Sequence, residues 1–178
     1  MAELLPDQLR LMAADVPDEV AHLDVTSGAS LTFGEWEARS NRLARWLVDR
    51  GVGVGERVAL HVPPEEAHRF LVGYSAIHKA GAVAVPTNAR SVARELVGVL
   101  GHAGAVAALT GTASAPPLRA ARPDLPGLRV VVATDPLGDE IPWDDAEDGG
   151  ADGSAFQVPV TGDDMADDDL RPSKSALK

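Results

Sequence analysis

Apolar residues recur along this chain with two periods. Near the start, Leu5, Leu9 and Met12 share one side of a helical repeat that Pro6 can open, since a first-turn proline gives up no hydrogen bond. Residues 21–25 and 30–33 read as two short strands, and Thr26-Ser27-Gly28-Ala29 between them has hairpin-turn chemistry. Thr32 stands three residues before Glu35, the spacing of a capping box, in which each side chain satisfies the other residue's backbone N–H. The helix it opens is predicted to run to about Arg50, with Trp36, Leu43, Trp46 and Leu47 as its buried stripe and Gly51 as its end.

From Arg57 the two periods alternate. Residues 57–62 read as a buried strand that Pro63-Pro64 stops. Glu65 and Glu66 suit a helix start, where the dipole favours acids, and Ala67, Phe70, Leu71, Tyr74 and Ile77 form the apolar face. Lys79 reads as a cation in the last turn, ahead of a left-handed cap at Gly81. Residues 82–85 form a short strand ended by Pro86. Ser91 is placed as the cap of a third helix bearing Val92, Leu96, Val99 and Leu100, ended by Gly101 or Gly104. A strand at 105–109, a weak helix near 115–121 and a strand at 128–133 complete the series. Strands that are continuously apolar and alternate with helices predict an α/β fold: a doubly wound, mostly parallel sheet with helices on both faces.

Charge divides the chain. Residues 1–134 carry 14 acids and 13 bases, a balance of −1; residues 135–178 carry 13 acids and 3 bases, a balance of −10. The second stretch is also rich in Gly, Pro and Asp, too poor in apolar area to offset chain entropy. It is expected to be a largely disordered acidic tail, with a short strand at 155–160, behind a folded unit at 1–134. The net charge of −11 argues against nucleic acid and anionic membranes as partners. The absence of cysteine excludes disulfides, thiolate catalysis and Cys-bound metal sites. No apolar run is long enough to span a membrane, and the first ten residues lack signal-peptide character, so a soluble cytoplasmic protein is expected.

Two runs carry a family resemblance. LTFGEWEARSNRLARWLVDRGVGVGERVAL (31–60) and FLVGYSAIHKAGAVAVPTNARSVARELVGVLGHAGAVAALTG (70–111) resemble the opening of adenylate-forming enzymes: acyl-CoA synthetases, peptide-synthetase adenylation domains and luciferases. HKAGAVAVPTNAR (78–90) is similar to the family's early KAG motif. The residues after Pro86 look more like acyl-CoA synthetases than peptide-synthetase domains. The resemblance implies a complete enzyme that activates a carboxylate with ATP and magnesium, releases diphosphate, and passes the acyl group to a thiol, usually coenzyme A.

The resemblance also implies a Ser/Thr/Gly-rich phosphate loop, a Tyr-Gly-x-Thr-Glu stretch, a ribose-binding Asp and a C-terminal Lys. None of these occurs in the sequence. GDDMAD (162–167) resembles the segment just before the phosphate loop, and the match stops at about Asp168, where the chain reads DDLRPSKSALK. Accordingly no catalytic, cofactor-binding or metal residue is assigned by carry-over, and the chain alone is expected to bind no cofactor. The expected function is an N-terminal fragment or split-enzyme piece, completed by a chain carrying the remaining catalytic parts or self-associating through exposed apolar surface. Alternatives are a non-catalytic interaction module and a small independent nucleotide-binding domain.

Several motifs fail on their context. DDxxD occurs at 144–148 and 163–167, but in stretches read as solvated acidic runs rather than on facing helices. The calcium-loop echo at 144–155 has Ala146 and Ala155 where ligands belong. Thr161-Gly162-Asp163 lies too early for the family's ribose motif. The glycines of 51–55 precede their strand, the reverse of a dinucleotide fingerprint. Of the five histidines, His22, His61, His68, His78 and His102, none has metal-ligand spacing. His78, four residues after Tyr74, is expected to pack beside it. His61 ends a strand, where it can line the ligand crevice of a parallel sheet.

Overall fold

The computed structural model describes residues 5–149 and 152–160. Helix α1 (Leu5–Asp15) precedes an antiparallel pair, β1 (Val20–Leu23) and β2 (Ser30–Thr32). Helix α2 (Phe33–Asp49) then begins on the expected capping box: Glu35 N–H donates to Thr32 Oγ1 at 3.2 Å, and Thr32 N–H to Glu35 Oε2 at 3.0 Å. The main sheet follows with β3 (Arg57–His61), α3 (Ala67–Lys79), β4 (Val83–Pro86), α4 (Ala93–Ala103), β5 (Ala105–Thr110), α5 (Ala115–Ala121), β6 (Val130–Ala133), β7 (Ile141–Pro142) and α6 (Trp143–Gly149).

The five strands lie in the order β4-β3-β5-β6-β7, and every pairing is parallel. Numbered along the chain, this is the doubly wound order 2-1-3-4-5. The chain steps from β3 to β4 one way, then crosses back over β3 to β5. Right-handed crossovers in opposite directions must cover opposite faces, which puts helices on both sides. One face packs Leu43, Leu47, Val72, Ile77 and Trp143 against Val58, Leu60, Leu109 and Val132. The other packs Leu96, Leu100, Leu118 and Leu125 against Ala59, Ala108 and Val131. Successive strand residues thus serve opposite cores, the period of two that makes these strands apolar throughout.

Four expectations are corrected. Sheet and helix continue past residue 134: β7 and α6 lie inside the stretch read as an acidic tail, and Trp143 is fully buried in the first core. Composition failed there because the apolar residues are few but face one way, and because buried Glu147 is neutralised by Arg39 through two hydrogen bonds at 2.8 and 3.0 Å. Residues 155–160 form no strand; they lie in coil against the helices. The cap of α4 is Val92 rather than Ser91, its N–H donating to Glu95 Oε2 at 3.2 Å. Val92 and Val99 are exposed, so the buried stripe of α4 is Leu96 and Leu100 alone, with Ala93 and Val97 partly covered. The second DDxxD, GDDMAD and Thr161-Gly162-Asp163 lie outside the described residues. Among those described, no helix is long and apolar enough to cross a membrane.

Candidate functional site

In a 2-1-3-4-5 sheet the crevice opens at the carboxyl ends of the strands flanking the first crossover reversal, here β3 and β5. His61, the last residue of β3, is fully buried there. Its Nδ1 lies 2.8 Å from the hydroxyl of Thr87, one residue past β4, and its Nε2 has no hydrogen-bond partner. Burial holds the His61 imidazole below its ordinary pKa, because a charged ring would have to shed its water. Its carbonyl accepts from Gly111 N–H at 3.2 Å, from Thr110 Oγ1 at 3.0 Å, and from Ser114 Oγ. The ends of β3, β4 and β5 are therefore joined side by side through His61.

Glu66 braces the next layer. Its Oε1 accepts from Thr112 N–H at 2.7 Å and its Oε2 from the Thr134 hydroxyl at 2.6 Å, joining the loops after β3, β5 and β6. Pro63 crowds Gly111: a Cβ there would clash with Pro63 Cδ and sit 2.8 Å from Glu66 Oε1. Outside this frame lies an open cleft of about 510 Å³, walled by Pro63, Pro64, Ala89, Arg90, Val92 and Pro117 among others. Arg90 is its one cation among the described residues, an exposed guanidinium in no described ion pair. The strands thus deliver a polar rim beneath a shallow, weakly charged cleft, and among the described residues no glycine loop lies there to cradle phosphate.

The histidines separate as residues of one chain but not as a cluster. His61 lies at the crevice. His78 packs edge-on to Tyr74, ring centroids 4.6 Å apart, as its spacing predicts. Among the described residues no group of three or more His, Asp or Glu side chains could hold a metal ion. The DDxxD at 144–148 sits on α6, with Asp144, Asp145 and Asp148 exposed and Asp144 3.0 Å from Arg69.

Lys79 is the last residue of α3, as its spacing predicts, yet its charge is not left at the helix end. It is 1% exposed, and Nζ turns away from its own helix end into α2. There it donates to Glu37 Oε2 and Asn41 Oδ1 at 2.7 Å, Ser40 Oγ at 2.8 Å and the Glu37 carbonyl at 3.3 Å. Burial draws its pKa below the usual lysine value, with Glu37 opposing. The signal available in sequence was the trio Glu37, Ser40 and Asn41, polar residues that run alongside the apolar stripe of α2 and are carried into the core with it.

Fold and crevice define a doubly wound α/β unit of the kind that places ligands across strand ends. Its sequence places it more narrowly: the chain belongs to the AMP-binding enzyme family, whose family model matches residues 9–170. It is 34% identical over 121 residues to the long-chain-fatty-acid–CoA ligase FadD13 of Mycobacterium tuberculosis, covering 67% of this chain and 24% of that protein. It is 35% identical over 147 residues to the chalcone synthase cfoA of Aspergillus candidus, covering 83% of this chain and 5% of that one. The inhibitor-bound N-terminal domain of FACL13 from Mycobacterium tuberculosis superposes with a TM-score of 0.77 at 28% identity, over 92% of this chain and 39% of that one. The chain thus spans a quarter or less of the length of these curated relatives.

Proposed function

We propose that this chain forms the N-terminal lobe of an AMP-forming acid–thiol ligase of the acyl-CoA synthetase kind, and that it does not adenylate on its own. The family match over residues 9–170 carries this reading. The lobe supplies a rigid frame, the His61–Thr87–Ser114 rim and one wall of a cleft. ATP, magnesium and coenzyme A belong to the completed site. The phosphate loop and catalytic lysine come from further polypeptide, joined to this lobe or carried by a partner chain.

The physical case for inactivity is one of magnitude. Adenylation needs preorganised donors around charge that develops on phosphorus, and losing a single such donor costs about 3–4 kcal/mol of barrier. This cleft offers one exposed arginine, and exposed charge pairs are worth about 0.2–1 kcal/mol. Acid-dependent ATP–diphosphate exchange tests the proposal. The chain alone should show no exchange above background with fatty or aromatic acids. A chimera in which it replaces the corresponding stretch of FadD13 should exchange. Exchange by the chain alone, or a folded, ATP-binding chimera that does not exchange, would overturn the proposal.

A further inference from the structure

After α6 the chain returns across the helical face of the first core, and residues 152–160 lie there without secondary structure. Coil on a helical surface must find partners for its backbone groups. Here the partners are the side chains of Asn41 and Arg45 on α2, the main-chain carbonyl of Lys79 at the end of α3, and the strap's own Asp152, which accepts from Ser154 N–H at 2.8 Å. Asn41 Nδ2 donates to the Gly153 carbonyl at 3.0 Å. Arg45 donates to the carbonyls of Asp152, Ser154 and Ala155 at 3.1–3.4 Å and to Ser154 Oγ at 3.0 Å, and its guanidinium lies 4.5 Å over the Phe156 ring. Val158 N–H donates to the Lys79 carbonyl at 2.7 Å. A Cβ on Gly81 would meet Val158 and Val160 at 3.3 and 3.2 Å, and one on Gly153 would meet Ala38 at 3.2 Å.

Lys79 joins these contacts twice. Its carbonyl takes the strap's amide, and its ammonium, with the Glu37 carboxylate it pairs, fixes the Asn41 side chain: Lys79 claims Oδ1, Glu37 Oε1 accepts from Nδ2 at 3.2 Å, and Nδ2 also reaches Gly153. An asparagine amide free to turn could present either end to that carbonyl; with Oδ1 bound to a cation it can present only the donor. A merely apolar residue at 79 would fill the volume without the cost of burying a charge, which unpaired is prohibitive.

We infer that Lys79 is a positioning residue: with Asn41 it forms a clasp that holds the 152–160 strap against α2 and α3 and sets the course along which the chain leaves the lobe. The inference stands on geometry within this chain and goes beyond the ligase reading. Failure of one leaves the other intact, because the test involves no nucleotide and no acid.

Hydrogen–deuterium exchange on the full chain tests it. In Lys79→Met the hydrogen-bonded strap amides, Ser154 and Val158, should exchange at least tenfold faster than in the parent, while those of β3 and β5 stay within twofold. Asn41→Ala, which removes the same clasp from the α2 side, should give the same local pattern. Equal strap exchange in variant and parent would overturn the inference. So would acceleration of strap and sheet together, which would make Lys79 a general stabiliser only. Arg45→Ala removes a side chain from outside the clasp and serves as the second comparison if Lys79→Met does not fold. It should loosen 152–156 and leave the Val158 amide protected; loss of protection at Val158 in that variant would show the strap to be held as one surface and not by the clasp.

Discussion

At Gly111 the main chain leaving β5 passes so close to Pro63 that any side chain collides with the proline ring and the Glu66 carboxylate. Both neighbours are held by other contacts, so neither can yield cheaply. Gly111→Ala should therefore lower stability by about 1–3 kcal/mol, the range for overpacking, read as a drop in urea midpoint at unchanged m. His61 makes a different prediction. Its folded pKa lies below the ordinary 6.5, so the folded state resists a proton that the unfolded chain accepts. Its contribution is fully present above about pH 6.5 and is lost as pH falls from there toward the folded value, with a slope of at most about 1.4 kcal/mol per pH unit. His61→Gln should flatten the stability profile between pH 7 and 5 relative to the parent; an unchanged slope would contradict a buried neutral ring. The place of His61 was legible from its position at a strand end. Its link to Thr87 was not, because that contact joins residues 26 apart through a crossover whose geometry no local pattern encodes. Lys79 does lie in the last turn of α3, as its spacing predicts, but helical spacing shows where a side chain starts and not that a four-carbon stem carries its charge under the neighbouring helix.

Helices and strands from Thr32 to Ala133 follow their expected order because most are specified twice, by periodicity and by a cap or stop; α4, whose cap and stripe lie one residue or more from their expected positions, still falls between its strands. The capping box at Thr32 is the plainest case, and Thr32→Ala should cost about 1 kcal/mol in thermal or chemical unfolding. The element that composition hid is α6. Its seven residues include four acids, yet Trp143 and Ala146 face the core, and the Trp143 indole donates to Glu147 Oε1 at 2.6 Å. Averaged over forty-odd residues, those few apolar side chains vanish; counted by face, they define an amphipathic turn. Trp143→Ala should destabilise the chain by about 3–5 kcal/mol, the cost of emptying a large buried aromatic site. Near-native stability in that variant would mean that α6 is an appendage and that the folded unit ends near residue 134 after all.

On the scale of the whole molecule, the 2-1-3-4-5 sheet brings the rim to the strand ends, where sheets of this order open their ligand crevice. The family resemblance in the KAG run and its flanks was legible from sequence because it is carried by local packing and turn residues that recur in register. The central claim is that this lobe builds one wall of a nucleotide site and not the site itself. Calorimetric titration of the concentrated chain with magnesium and ATP measures that directly. No saturable heat up to millimolar ATP is the predicted result. Stoichiometric binding would contradict it, and would make His61, Thr87 and Arg90 members of a self-sufficient nucleotide site.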